Sequence, residues 1–143
     1  MAILAKNQRA YFDYTVEETF TAGLVLEGRE VKSAKSGNVS MQGAFVSVNA
    51  DGARILGMHI GPYKFAPNDN YNPTRTRELL LNKSEIKKFL GKEKGLTIIP
   101  LELYSTAKGL VKLKIGLAKA KKKVDKREHI KKREIEREMR NIS

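Results

Sequence analysis

Cysteine is absent from all 143 residues. That removes a disulfide framework, a thiol nucleophile and a cysteine-based zinc site. It also suits a reducing cytoplasm, the expected location. Histidine is nearly absent: His59 and His129 are the only two. They make no zinc cluster without carboxylates at a spacing the chain does not offer, so no metal and no cofactor are expected. No apolar run approaches the roughly 18 residues of a membrane span. The opening MAILAKNQRA has too short an apolar run for a secretory signal. Neither a glycine-rich phosphate cradle nor a nucleophile elbow occurs. Asp13, Glu17, Glu18 and Glu30 are scattered, as ordinary surface charge is. A carboxylate-based nuclease is the enzymatic alternative, but the expectation is a protein that is not an enzyme.

What the chain has is positive charge: 28 Lys and Arg against 16 Asp and Glu, a net +12. Nucleic acid is the usual partner of such a balance. Half of it lies in the last quarter, where 117–143 holds 11 basic and 5 acidic residues. The remainder is basic in its own right. The last quarter has too few apolar residues, among them Val124, Ile130 and Ile135, to bury a helix face. It can still become helical: Asp125 is a good N-cap with Glu128 at capping-box spacing, and Glu128–Lys132 and Glu136–Arg140 are i,i+4 pairs. Such a segment orders against a polyanion. It lacks the aromatic and leucine-rich face that a helix lying on a membrane would bury. The length fits one domain, 1–117, followed by a basic tail, 118–143.

Along the body, 1–9 reads as a basic leader. Ala10, Phe12, Tyr14 and Val16 alternate with polar neighbours, the pattern of a half-buried strand. A second strand is expected over 20–26, bent at Gly23, and a short helix between Gly28 and Gly37. Asp51-Gly52 marks a hairpin between 44–49 and 53–60. The stretch 61–76, with Pro62, Pro67 and Pro73, is a long surface loop. A strand over 77–81 leads to a helix capped by Asn82 and Glu85, with Ile86, Phe89 and Leu90 on one face. Two final strands, 96–104 and 111–117, flank an STAKG turn. Pro100 belongs at an edge or a bulge, and Val111, Leu113, Ile115 and Leu117 share the buried face. The sum is an all-β fold: a closed six- to seven-stranded antiparallel barrel with small flanking helices.

Lys6, Arg9, Lys32, Lys35, Arg75, Arg77, Lys83, Lys112 and Lys114 could line a phosphate-tracking surface. Tyr63, Phe65 and Tyr71, in the long loop, are the better candidates for stacking on unpaired bases, whereas Tyr11 and Phe20 fit a core. A barrel with stacking rings and a basic face is a platform for unpaired or irregular RNA. A structural ribosomal protein with a basic extension fits the same features.

The stretches AYFDY (10–14), AGLVLEGREVKS (22–33), GMHIGPY (57–63), RTRELLL (75–81), KGLTIIPLELY (94–104), VKLKIGLAKAKK (111–122) and DKRE (125–128) carry a resemblance across nearly the whole chain. The chain resembles the SmpB (small protein B) family, whose members bind transfer-messenger RNA (tmRNA, or SsrA RNA). The resemblance implies an OB-like closed barrel whose basic tail becomes helical on the ribosome. It implies no enzymatic activity. It implies trans-translation: delivery of charged tmRNA, with elongation factor Tu, to ribosomes stalled on messages lacking a stop codon. A monomer is expected.

By the same resemblance, Lys6, Asn7, Arg9, Glu30, Lys32, Leu80 and the 57–63 segment, with His59 and Tyr63, belong to the tmRNA side; Arg75 and Arg77, from the phosphate-tracking set, are expected to join them. Lys122, Lys123, Asp125, Lys126, Arg127, Lys131, Lys132, Arg133, Arg137 and Arg140 belong to the decoding centre and the empty mRNA channel. The chain departs from its relatives at Thr21, where a glutamate implicated in RNA contact is frequent, and at Val124, where many carry a ring. Ala120 and Glu78 depart from a usual glycine and a usual lysine.

Overall fold

The computed structural model describes residues 2–66 and 70–121. The basic tail from 122 onward lies outside them, and with it every expectation placed on Lys122, Lys123, Asp125, Lys126, Arg127, Lys131, Lys132, Arg133, Arg137 and Arg140. In chain order the elements are β1 (Ala2–Lys6), α1 (Gln8–Asp13), β2 (Tyr14–Leu24), α2 (Gly28–Lys35), β3 (Val39–Ser40), β4 (Phe45–Asn49), β5 (Gly52–Leu56), β6 (His59–Ile60), β7 (Arg77–Leu80), α3 (Lys83–Leu90), β8 (Leu96–Ser105) and β9 (Val111–Ala120).

Seven strands make one antiparallel sheet in the order β1-β8-β9-β2-β7-β5-β4, and β3 pairs with β6 apart from it. The fold is mostly β as expected, but the sheet is not closed into a barrel. β1 and β4 end the sheet without pairing with each other. β1 is too short to close it: it covers β8 only from Glu102 to Ser105. Beyond that point β4 packs near β8 but is not laddered to it.

The final hairpin carries the core. Val111, Leu113, Ile115 and Leu117 are buried with Ile55, Met58, Ile60, Leu79, Phe89 and Leu103. A second cluster, Ala10, Ile99, Leu101 and Ala118, is packed by Tyr11, Tyr14 and Val16. The swap of faces along β8 follows from its register shift between Pro100 and Glu102, the irregularity that a proline without an N–H demands. Gly116 is buried because Leu101 and Val16 close over it; a Cβ there would meet them at 3.0 and 3.1 Å.

Three local expectations change. Residues 10–13 are helical, because Asn7 caps them: its Oδ1 accepts from the Ala10 N–H at 3.2 Å, and its Nδ2 donates to Pro100 O at 2.8 Å. The leader contains a strand, β1, which needs β8 as its template. Leu90 is exposed, and Phe89 alone buries deeply from α3, against Phe20 with ring centroids 4.6 Å apart. The capping box of α3 forms as expected: Asn82 Oδ1 accepts from Glu85 N–H at 2.9 Å, and Glu85 Oε1 accepts from Asn82 N–H at 3.1 Å. Replacing Asn82 by alanine is expected to cost about 1 kcal/mol in a urea titration, since it orphans a first-turn donor. An unchanged midpoint would mean that water replaces the cap fully.

Candidate nucleic-acid interface

The first turn of α2 joins one carboxylate, Glu30, to two guanidinium groups, those of Arg75 and Arg77. Glu27 caps the helix, and Glu30 at the third position reaches back to the Glu27 N–H at 2.9 Å. Glu30 has no exposed surface. Its Oε1 also accepts from Arg75 Nη2 at 2.5 Å, and its Oε2 from Arg77 Nε at 2.6 Å. Arg77 is equally buried. Its guanidinium spends its remaining donors on backbone: Nη1 on Met58 O at 2.7 Å, Nη2 on Pro73 O at 3.0 Å. Burial pushes the Glu30 carboxyl up. The hydrogen bonds from Arg75, Glu27 N–H and Arg77, with the Arg77 charge, outweigh it and hold the group below its ordinary value.

This cluster clamps both ends of the 61–76 loop to α2. Ser33 Oγ donates to Gly61 O at 2.5 Å at the loop's start, and Tyr71 Oη donates to Ile60 O at 2.6 Å. Arg29 lies over the Tyr71 ring, 4.7 Å from its centroid. Tyr71 is therefore a strut of the loop. The rings the loop displays are Tyr63 and Phe65, edge to face with centroids 5.6 Å apart. Phe65 is 77% exposed. Lys32 from α2 stands 5.8 Å from the Tyr63 centroid, and Lys64 5.5 Å from that of Phe65. Aromatic faces beside ammonium groups suit stacked bases and their phosphates.

The other expected residues fall elsewhere. Lys6 and Arg9 are exposed beside α1. Lys6 lies 5.2 Å from the Tyr11 centroid, and Arg9 Nε pairs with Asp13 Oδ2 at 2.9 Å. Burial first, and then the Glu102 carboxylate accepting from its hydroxyl at 3.2 Å, pushes Tyr11 up to about 12. His59 is exposed at β6, opposite Ser40. Leu80 is 58% exposed on the outside of the sheet, opposite Gly23. The ten residues thus form one group around α2 (Glu30, Lys32, His59, Tyr63, Arg75, Arg77), one around α1 (Lys6, Asn7, Arg9), and Leu80 apart.

The SmpB protein family matches residues 4–143. The chain belongs to the SmpB family. Among its relatives, the SsrA-binding protein of Coprothermobacter proteolyticus is 52% identical over 143 residues, covering 98% of this chain and 95% of the relative. That of Geobacillus kaustophilus is 45% identical over 139 residues, covering 96% and 89%. That of Symbiobacterium thermophilum is 46% identical over 138 residues, covering 95% and 87%. A chain from a solved structure described as "tmRNA-SmpB: a journey to the center of the bacterial ribosome" is 39% identical, with a TM-score of 0.68, covering 82% of this chain and 84% of that one.

In this SmpB-family chain the geometry divides the expected RNA-side residues by role. Lys6, Arg9, Lys32, His59, Tyr63 and Leu80 have surface to offer, and Arg75 is partly exposed. Glu30 and Arg77 have none, and the Asn7 amide is occupied at both ends. These three act by holding backbone. The sequence reading missed Ser33, Lys64 and Arg29. Ser33 and Arg29 share α2 with Glu30, and the Glu27-x-x-Glu30 capping spacing was the legible signal for where that helix begins. Among the described residues, no group of three or more His, Cys, Asp or Glu could hold a metal ion, and no helix is long and apolar enough to cross a membrane.

Proposed function

We propose that this chain binds tmRNA through its folded body and serves trans-translation on stalled ribosomes. The observation that carries this is a family match running to residue 143, through the basic tail as well as the body, with relatives named SsrA-binding proteins. The clamped 61–76 loop supports it, because it sets Tyr63, Phe65, Lys32 and Lys64 together on a held scaffold. In this reading the body recognises the folded tRNA-like part of tmRNA by shape and charge. The tail enters the decoding centre and the vacant mRNA channel and coils there. Asp125, Lys126 and Arg127 position it, and Lys122, Lys123, Lys131, Lys132, Arg133, Arg137 and Arg140 meet ribosomal phosphates. The protein acts as a cytoplasmic monomer, delivered in a complex with elongation factor Tu, and performs no catalysis itself.

The deciding experiment is to identify the RNA that co-purifies with the tagged chain. A single tRNA-like RNA is expected. Stoichiometric retention on high-salt-washed ribosomes without it would make the chain a structural ribosomal protein instead. Two variants divide body from tail. Phe65→Ala, at an exposed ring, is expected to leave thermal unfolding unchanged and weaken tmRNA binding about tenfold, the worth of one stacked base; equal affinity would remove Phe65 from the contact. Asp125→Ala with Arg127→Ala is expected to impair peptide tagging while tmRNA affinity holds. A parallel loss in both assays would make the tail an RNA anchor only.

A further inference from the structure

A helix leaves its last four carbonyls without partners of its own. α1 has six residues and no basic side chain in its last turn. Its Ala10 carbonyl accepts from the N–H of Tyr14, the residue that ends the helix. Two of the others are met by one residue from the far end of the body. Lys121 donates its N–H to Asp13 O at 2.8 Å and its Nζ to Tyr11 O at 3.0 Å. The residue before it, Ala120, pairs with Tyr14. β9 therefore ends against the corner where α1 becomes β2. α1 is in turn held to β8, where Asn7 Nδ2 donates to Pro100 O at 2.8 Å and Tyr11 Oη to Glu102 Oε1 at 3.2 Å.

Lys121 is also the last residue before the charged stretch 122–143. A bond at its amide alone would fix the point where the chain leaves the sheet and still allow rotation there. The second bond, from the side chain, resists that rotation, because two fixed points set a direction. We infer that Lys121 is a positioning residue: it fastens the origin of 122–143 to the C-terminal end of α1, so that the seating of the body on tmRNA sets the course on which the tail departs. The inference rests on the tmRNA-binding reading above and deepens it. A phosphate contact is the other use of an ammonium on a chain of net +12. A lysine with that role alone would reach into solvent. Lys121 is half-buried and turns back onto a helix end, which favours the anchor.

The test uses the full-length chain and two variants. Lys121→Met keeps the aliphatic stem and the backbone N–H but loses the ammonium, and Lys121→Arg keeps a charged donor. Because the chain has no cysteine, Ser47→Cys, exposed on β4, and Val124→Cys each take one spin label, and pulsed dipolar spectroscopy reads the distances between them in the free protein. In Lys121→Met the spread of distances is expected to widen and tagging on stalled ribosomes to fall about tenfold, the worth of one charged hydrogen bond, while tmRNA affinity holds. Lys121→Arg should restore the parent's spread and most of the tagging. Tagging at the parent level in Lys121→Met would overturn the inference. So would tmRNA affinity lost in step with tagging, the mark of a residue needed only for stability. Tagging lost with an unchanged spread would overturn it too, and would make Lys121 a phosphate contact. A parent chain that retains no tmRNA would sink the proposed function instead, and the spread in Lys121→Met would still decide the anchor.

Discussion

Replacing Glu30 by alanine is expected to cost about 3–5 kcal/mol, because it strands the Arg77 guanidinium as an unpaired buried charge. Against a typical domain stability of about 5–15 kcal/mol, that is enough to shift a urea midpoint grossly. Both residues have no exposed surface, and between them they hold α2, the carbonyls of Met58 and Pro73, and Arg75. Weaker tmRNA binding should follow only as the 61–76 loop loosens. A residue that touched RNA directly would give the opposite pattern, lost affinity at full stability, and that result would overturn the clamp. The pH dependence has a fixed sign. Glu30 is held below its ordinary value of 4.5 when folded. Its contribution is therefore complete above that value and is lost as pH falls through the depressed folded one. Acid unfolding of the wild type should show this loss, and Glu30→Gln should flatten it. An equally steep acid limb in Glu30→Gln would place the titration elsewhere.

Ending the chain after Lys121 is expected to leave the melting temperature and tmRNA affinity nearly unchanged and to abolish tagging on stalled ribosomes. The cut belongs there because β9 runs to Ala120, beyond a boundary at 117. Ala120 is paired with Tyr14, and Lys121 is fixed to α1: its N–H donates to Asp13 O at 2.8 Å and its Nζ to Tyr11 O at 3.0 Å. An earlier cut would confound lost tail with a frayed sheet. Salt separates the two parts further. If the tail carries ribosomal contacts alone, the log–log salt slope of tmRNA binding, about −0.7 to −0.9 per phosphate, stays the same after truncation. Full tagging by the shortened chain would refute the tail's role.

Patterns with a local cause were legible in the chain. The Asp51-Gly52 hairpin, the Asn82 capping box and the alternation of 111–117 appear where expected, because each depends on residues within a few positions of one another. The alternation over 10–16 misled. It fits a strand, yet the Asn7 cap, itself tied to Pro100 far along the chain, turns 10–13 into a helix. β1 was invisible for the same reason, since its partner β8 begins ninety-odd positions later. Closure of the sheet was likewise out of reach, because a count of strands says nothing about how far the edge strands overlap.

By itself the sequence determined the class of partner and the distribution of charge: a cationic β body, with rings in a long loop, followed by a charged stretch with too few apolar residues to bury a helix face. Charge and composition are sums over residues, so order in space does not alter them. Only the tertiary structure decided which of the named residues face outward. It sank Glu30 and Arg77 into a clamp, left Lys32 and Phe65 on the surface, and tied Lys121 to the end of α1. Burial is a property of long-range packing: a buried carboxylate and a solvated one read identically in one dimension, and only their neighbours across the fold tell them apart.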